Sequence, residues 1–416
     1  MLGNKATNAP RFKEGYQLPD FLRDDAFALR VAEGTGDITR EQSDVNLKAD
    51  RKVCRLKIAA MACIAVALAL VSMCFSLTGS GSGYVSFYNP IDVASNLWNW
   101  SLWQLSNIFG LGFFDEKTNL VDVAPLYAQV VQRAGVTLAT VVSGALLACA
   151  GMLYQVVFRN PIASPSLLGV THGVQVGLLF VFATYGAIAF DMYAQRFVYG
   201  YTAGIVTLAA VFVLSKLITK RKTSISVFDM LVVGTIMSAF LGAVVKYMMD
   251  QLSALNIWIE FFEYQEALDI YYQPITYVVL LGSVLVAFVP VAIMRYRLNL
   301  LSFSDGEIRV MGGRPAALRV LSIIAGSIMI LTAQVFVGSA SSFALVVPFL
   351  ARYLFGSEFR RQLWGNVLLG TIVLLICRDL TVLIPFPGIG LPIGVVAGAV
   401  TLPLFVWATT FSRKGW

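Results

Sequence analysis

The sequence predicts an all-α polytopic membrane protein with about ten transmembrane helices, and three observations carry that prediction. Of its 416 residues 57% are hydrophobic and only 13% are charged. That is about half the roughly 25% charged residues of a soluble domain, too few to clothe a globule in water. Ten apolar stretches approach or reach the length that crosses a bilayer, about 20 residues rising ~1.5 Å each through a ~30 Å hydrocarbon core. Basic residues, finally, gather in alternate connecting segments, the bias of chains threaded through a membrane.

Residues 1–57 carry 11 Lys/Arg and 9 Asp/Glu. With no apolar core near its start, this segment is expected to be a weakly ordered cytoplasmic tail rather than a secretory signal. A short amphipathic piece around Leu18–Val31 (Phe21, Leu22, Phe27, Leu29) is its candidate partner-binding segment. Ile58–Leu77 is the first span. Thr78–Gln132 follows as a long connection with a Gly/Ser run and then Trp98, Trp100 and Trp103, which suit a helix lying at headgroup level. Nine more spans follow: Ala134–Val157, His172–Gly186, Phe197–Ile218, Val227–Met249, Ile275–Met294, Leu318–Val337, Phe343–Leu354, Trp364–Leu383 and Pro392–Phe411. The third and eighth are short enough to be tilted or broken. Residues 58–411 thus form the membrane domain and 412–416 a short cytoplasmic tail.

Charge fixes the expected orientation. With both ends in the cytoplasm, the inner segments collect 26 of the 31 Lys/Arg and the outer ones only Lys117, Arg133, Arg196, Lys246 and Arg378. Acidic residues divide 13 inside and 11 outside, so the inner face is strongly positive. The net charge of +7 is therefore read as membrane placement, with the lipid bilayer as partner and no nucleic acid.

Several function classes fall away. No Gly-x-x-x-x-Gly-Lys-[Ser/Thr] grips a nucleotide, and one histidine, His172, excludes His-rich metal centres. Cys54, Cys63, Cys74, Cys149 and Cys377 lack Cys-x-x-Cys spacing and read as small packing residues. No catalytic residue, metal site or cofactor site is expected in the chain.

Irregular backbone at membrane depth is tolerated where it lines a cavity or is buried in protein, and transporters interrupt helices along the substrate path. Two Pro/Gly clusters qualify, residues 158–169 at the inner end of the second span and 385–394 at the outer mouth of the tenth; for the latter a tight turn is an equal reading. In the loop after the sixth span, Ser304-Asp305-Gly306-Glu307 reads as a capping box, with Ser304 as N-cap and Glu307 at the third helical position. The helix it starts runs to about Met311 and is ended by Gly312-Gly313. Two turns are too few to be stable alone, so the helix needs a surface to lean on.

The first cluster and its approach, Gly144-Ala145-Leu146-Leu147-Ala148 to Gly151, Gln155, Arg159-Asn160-Pro161-Ile162-Ala163-Ser164-Pro165 and Leu168-Gly169, resembles the signature of the FecCD family. These are permease subunits of ABC importers for iron-siderophores, haem and vitamin B12. Further matches are Leu298-Asn299-Leu300-Leu301-Ser302 with Glu307 and Met311-Gly312, then Val346-Val347-Pro348 to Ala351-Arg352 and Gly356, then Leu391-Pro392-Ile393-Gly394-Val395-Val396 with Pro403. They cover roughly residues 125–411 in the family's order.

The resemblance implies a type II ABC importer permease architecture in a bacterial cytoplasmic (inner) membrane. It implies two ATPase subunits that hold ATP and Mg, a second copy or a related permease, and an extracellular or periplasmic substrate-binding protein. The loop 298–315, with Leu300, Leu301, Ser304, Asp305, Glu307, Met311 and Gly312, would dock in an ATPase groove. The cytoplasmic gate would combine Asn160, Pro161 and Ile162 with Ser224, Ile225 and Ser226, and the fifth and tenth spans would line the pathway at a two-fold axis. Arg133 would meet the binding protein. Lys246 is either a snorkelling lysine paired with Asp250 or a lure for an anionic ferric chelate. The implied function is ATP-driven import of a ferric siderophore or similar metal chelate. An ion-gradient transporter is the alternative, and it asks for acidic or His residues at mid-membrane.

The chain also departs from the family. Pro348-Phe349 stands where Pro-His is common, and Val130 where a second docking arginine is usual. Asn256 to Asp269 is acidic, through Glu260, Glu263, Glu266 and Asp269. These departures imply a less acidic binding-protein surface, or a non-identical second permease that supplies the arginines.

Overall fold

The computed structural model describes residues 40–78, 84–96, 98, 125–186, 189, 192–218, 227–254, 274–338, 341–356, 358–384 and 392–412. The chain divides into Met1–Leu56 and Lys57–Trp416, and the second unit carries the bundle. Its helices, with the long first one that enters it, are α1 (Arg40–Cys74), α2 (Pro125–Phe158), α3 (Val170–Tyr185), α4 (Tyr193–Ile218), α5 (Val227–Ala254), α6 (Pro274–Ser283), α7 (Val289–Ile293), α8 (Arg295–Leu298), α9 (Asp305–Val310), α10 (Pro315–Val337), α11 (Ser341–Phe355), α12 (Phe359–Leu383) and α13 (Ile393–Ser412).

Each expected span meets a helix. Eight are long and apolar enough to cross a membrane, and α3 and α11 are the two shorter apolar ones, as their sequence lengths foretold. The sixth span is α6 and α7 joined by a π-turn, Val284–Phe288. Pro290 follows at the start of α7, and the widened turn makes room for a ring that would otherwise meet the carbonyl four residues back.

The first span ends earlier than its apolar run. Phe75–Thr78 (β1) leaves the helix and pairs antiparallel with Tyr84–Phe87 (β2), Phe75 opposite Phe87 and Thr78 opposite Tyr84. Alternating aromatic and hydroxyl residues around a Gly/Ser run favour a hairpin over further helix. Of the expected interfacial tryptophans, Trp98 is exposed; Trp100 and Trp103 lie outside the described residues, as do Leu18–Val31, the second Pro/Gly cluster up to Leu391, and the acidic loop 256–269.

Helices α2 and α10 form the centre, with 78% of each span buried, against 11% for α1 and 17% for α5. In a membrane, close packing depends on small residues that let backbones approach, and α2 supplies them. A Cβ on Gly144 would stand 2.5 Å from the Gly370 carbonyl oxygen of α12, and one on Gly151 only 1.7 Å from the Ala344 oxygen of α11. Polar groups close the same contacts. Tyr154 Oη and Ser327 Oγ of α10 are 2.6 Å apart, Gln155 Nε2 donates to the Leu345 carbonyl at 2.9 Å, and Thr371 Oγ1 donates to that of Val141 at 3.2 Å. Cys149 and Cys377 are buried in this packing and all five cysteines are free thiols.

Candidate functional site

At the end of α2, Arg159 has a left-handed backbone, φ 49°. Its side chain crosses to the segment that follows the sixth span. Nε donates to the Leu301 carbonyl at 3.1 Å, Nη2 donates to that of Phe303, and Asp305 lies 3.6 Å away. Asp305 in turn accepts a fork of two hydrogen bonds from Arg319 of α10, Nη1 at 3.0 Å and Nη2 to the other oxygen. The Arg159–Asp305 pair is 41% and 42% exposed, so it is worth about 1 kcal/mol at most. The two carbonyl bonds, one part-buried and one exposed, add about 0.5–1.5 kcal/mol each, so the tie is shared among the three contacts.

The next residues form a tight turn. Asn160 Oδ1 accepts from the Ile162 N–H at 3.0 Å, and the Ala163 N–H donates to the Asn160 carbonyl at 3.1 Å. Ile162 is exposed. The chain then enters a 3₁₀ turn, Pro165–Leu168, capped by Gly169 in the left-handed region. This turn lies on α5, where a Cβ on Gly234 would stand 2.5 Å from the Leu167 oxygen. One turn further along, Ser238 Oγ of α5 and His172 Nδ1 of α3 are 3.1 Å apart. Ser224, Ile225 and Ser226, the expected second half of the gate, lie outside the described residues.

The capping box is present. The Ser304 N–H donates to Glu307 Oε2 at 2.7 Å, and the Glu307 N–H donates to Ser304 Oγ at 3.4 Å. The Ser304 backbone bond, then its hydroxyl bond, and more weakly the Arg159 charge hold the Glu307 carboxyl below the usual carboxylate range, so the cap stays ionised at neutral pH. The helix ends at Val310, and the Gly313 N–H returns to the Ile308 carbonyl at 2.8 Å.

Within α9 the faces divide sharply. Ile308 is fully buried against the bundle, while Val310 is 90% exposed and Met311 and Phe303 are each 47% exposed. Of the residues expected to meet an ATPase, Leu301 is buried, Asp305 is held by Arg319, and Ser304 and Glu307 hold each other. Leu300 is half-buried, and Met311 and Gly312 are exposed. The outward apolar surface is thus Phe303, Val310 and Met311, beside the exposed Gly312 and the polar Ser304, Glu307 and Arg309. Just before α9, Asn299 Oδ1 accepts from the Phe359 N–H at 2.8 Å, capping α12.

Toward the other end of α2 lies Arg133, the residue expected to meet the binding protein. It is only 6% exposed and lies with Arg378 near Asp379 of α12, which accepts from Ser72 Oγ of α1 at 2.6 Å. Lys246 is exposed on α5, as is Asp250, and no ion pair joins them among the described residues.

Among the described residues, eight spans and two shorter apolar helices gathered on α2 and α10, with a stop-start segment tied to an Asn-Pro turn, define a membrane permease. The chain belongs to the FecCD transport family, whose profile matches residues 105–411. It is 27% identical over 274 residues to the "Probable iron chelatin transport system permease protein" of Helicobacter pylori, covering 64% of this chain and 76% of the relative. It is 28% identical over 273 residues to the Fe(3+) dicitrate transport system permease protein FecD of Escherichia coli, covering 64% and 79%. It is 27% identical over 304 residues to the molybdate import system permease protein MolB of Haemophilus influenzae, covering 70% and 83%. A metal-chelate type ABC transporter in an inward-facing conformation has the same fold, with TM-score 0.60 at 19% identity over 86% of this chain and 99% of the other.

Proposed function

We propose that this chain is the membrane-spanning subunit of an ATP-driven importer that carries a ferric siderophore or similar metal chelate across a bacterial cytoplasmic membrane. Both ends face the cytoplasm, by the charge bias of its loops. Two ATPase subunits bear ATP and Mg and dock on the exposed tip of α9. A second permease pairs with this one along α5 and α13, whose spans are 17% and 28% buried, and a binding protein delivers the chelate from outside. Lys246, exposed toward the outer end of α5, draws anionic chelates to the mouth. Two relatives named for iron chelates support the substrate class.

The Arg159 tie carries the reading. A push on α9 reaches Arg159 through Asp305 and the Leu301 and Phe303 carbonyls, turns the Asn160-Pro161-Ile162 gate, and passes through the Pro165–Leu168 turn to α5. Gradient-driven transport, by contrast, needs a free acid inside the membrane. Asp379 is a buried carboxylate of that kind, and it is engaged by Ser72 and flanked by two arginines.

Replacing Val310 with Glu tests the docking face, since it puts a charge on an apolar tip without touching the capping box. Co-purification of the ATPase is expected to fall at least about tenfold, the effect of burying one unpaired charge, with the permease still monodisperse. Undiminished ATPase recovery would contradict docking at α9. Uptake of cobalamin or molybdate, with no uptake of any ferric siderophore, would contradict the substrate class.

A further inference from the structure

The segment before α9 holds a second helix besides α2. It opens with a 3₁₀ turn, Asn299–Ser302, pinned by the buried Leu298 and Leu301. Arg159 grips the far end of this turn, at the Leu301 and Phe303 carbonyls. The near end grips α12. Asn299 Oδ1 accepts from the Phe359 N–H at 2.8 Å, and Phe359 is only 2% exposed, so its amide relies on a protein acceptor. The helix does not provide one itself. Glu358, at the N-cap position, makes no side-chain cap, and its carboxylate is drawn to Arg361 at 2.7 Å and Arg360 at 3.5 Å. A side chain 60 residues back thus does for α12 what an N-cap usually does locally.

From Phe359 a chain of contacts leads to α13. The Phe355 ring at the end of α11 lies on Gly365 of α12, where a Cβ would stand 2.4 Å from it, so the α11–α12 corner moves as one piece. Helix α11 is packed in turn on α13. The Phe349 and Phe405 ring centroids are 5.6 Å apart, those of Tyr353 and Trp407 are 5.8 Å apart, and Thr401 Oγ1 donates to Ser342 Oγ at 3.4 Å. We propose that Asn299 is a positioning residue through which the segment before α9 moves α13, as Arg159 moves α5. The inference rests on the transport reading and deepens it: one turn, held at both ends, shifts both spans assigned to the pathway.

Bimane fluorescence on each pathway span tests the lever, in proteoliposomes that hold the chain with its ATPase and binding protein. One preparation is labelled on α13 at Val406→Cys and another on α5 at Ile236→Cys, both exposed positions. Cys54 and Cys63, the native thiols that are not buried among the five, are replaced by Ser. Asn299→Ala is expected to cut the ATP-driven signal at α13 about fivefold, the factor a lost helix cap typically represents, and to keep that at α5 within about twofold. Arg159→Ala is expected to do the reverse. Asn299→Asp keeps an acceptor oxygen at the same reach and is expected to restore the α13 signal. A residue that mattered only for packing would lose both signals together and gain nothing from the carboxylate. If Asn299→Ala fails to assemble, Asn299→Gln displaces the acceptor by one methylene, and the same split is expected. An α13 signal that survives loss of the acceptor, equal loss at α5 and α13, or no rescue by Asn299→Asp would overturn the proposal. A wild type with no ATP-driven signal at either helix would overturn the transport reading itself, and the lever with it.

Discussion

Arg159→Ala is expected to lower chelate uptake by about tenfold to a hundredfold, the range set by losing charged hydrogen bonds to two carbonyls. The protein should still assemble in the membrane, because Arg159 lies outside the buried packing of α2, α10, α11 and α12. The backbone there is left-handed, a conformation that costs a non-glycine residue about 1–2 kcal/mol. In the native chain the bonds to Leu301 and Phe303 help offset that cost; the variant keeps only the main-chain cap, Arg159 N–H to Val156 at 3.3 Å and Asn160 N–H to Gln155 at 3.1 Å, and the turn is held less firmly. Arg159→Lys keeps the charge near Asp305 and forfeits the two-carbonyl reach, so it should fall between. Transport per ATP hydrolysed, measured in proteoliposomes with the ATPase, separates loss of transmission from loss of fold. A transmission defect lowers the ratio while hydrolysis continues; unchanged uptake by Arg159→Ala would remove the tie from the mechanism.

Gly151→Ala is expected to destabilise the bundle by about 3 kcal/mol or more. Its Cβ would meet the Ala344 carbonyl oxygen at 1.7 Å and Pro348 Cγ at 2.9 Å. The clash is with backbone, so no side-chain rotation relieves it, and α11 must move off α2. The same substitution at Gly282 of α6 meets nothing within 4 Å. It should be neutral or stabilise by up to ~1 kcal/mol, because glycine is a poor helix former. Thermal unfolding in detergent, followed by loss of the monodisperse peak, compares the two. Equal stability of Gly151→Ala and wild type would mean that α2 and α11 do not cross there.

What the sequence disclosed and what it hid divide by range. The ten spans were legible because each is a contiguous apolar run. The α9 cap was legible because Ser304 and Glu307 lie three residues apart and their chemistry is local. The hairpin after α1 was hidden because Phe75 and Leu77 extend the apolar run that defines the first span. Arg159 could be seen as part of a motif, but its carbonyl partners are 142 and 144 residues away, and backbone carbonyls leave no trace in a sequence. Arg133 is a basic residue near a span's end, and its burial close to Arg378 and Asp379 depends on a helix far along the chain. Met311 was among the expected docking residues and Val310 stood next to it, and which of the set faced out depended on where Ile308 packed.

The most direct measurement is uptake of a radiolabelled ferric siderophore into right-side-out vesicles that contain this chain, its ATPase and its binding protein. The account predicts uptake when ATP is loaded inside, undiminished when ionophores abolish the proton and sodium gradients, and lost when ATP is replaced by a non-hydrolysable analogue. Accumulation driven by either gradient in vesicles without ATP would contradict it.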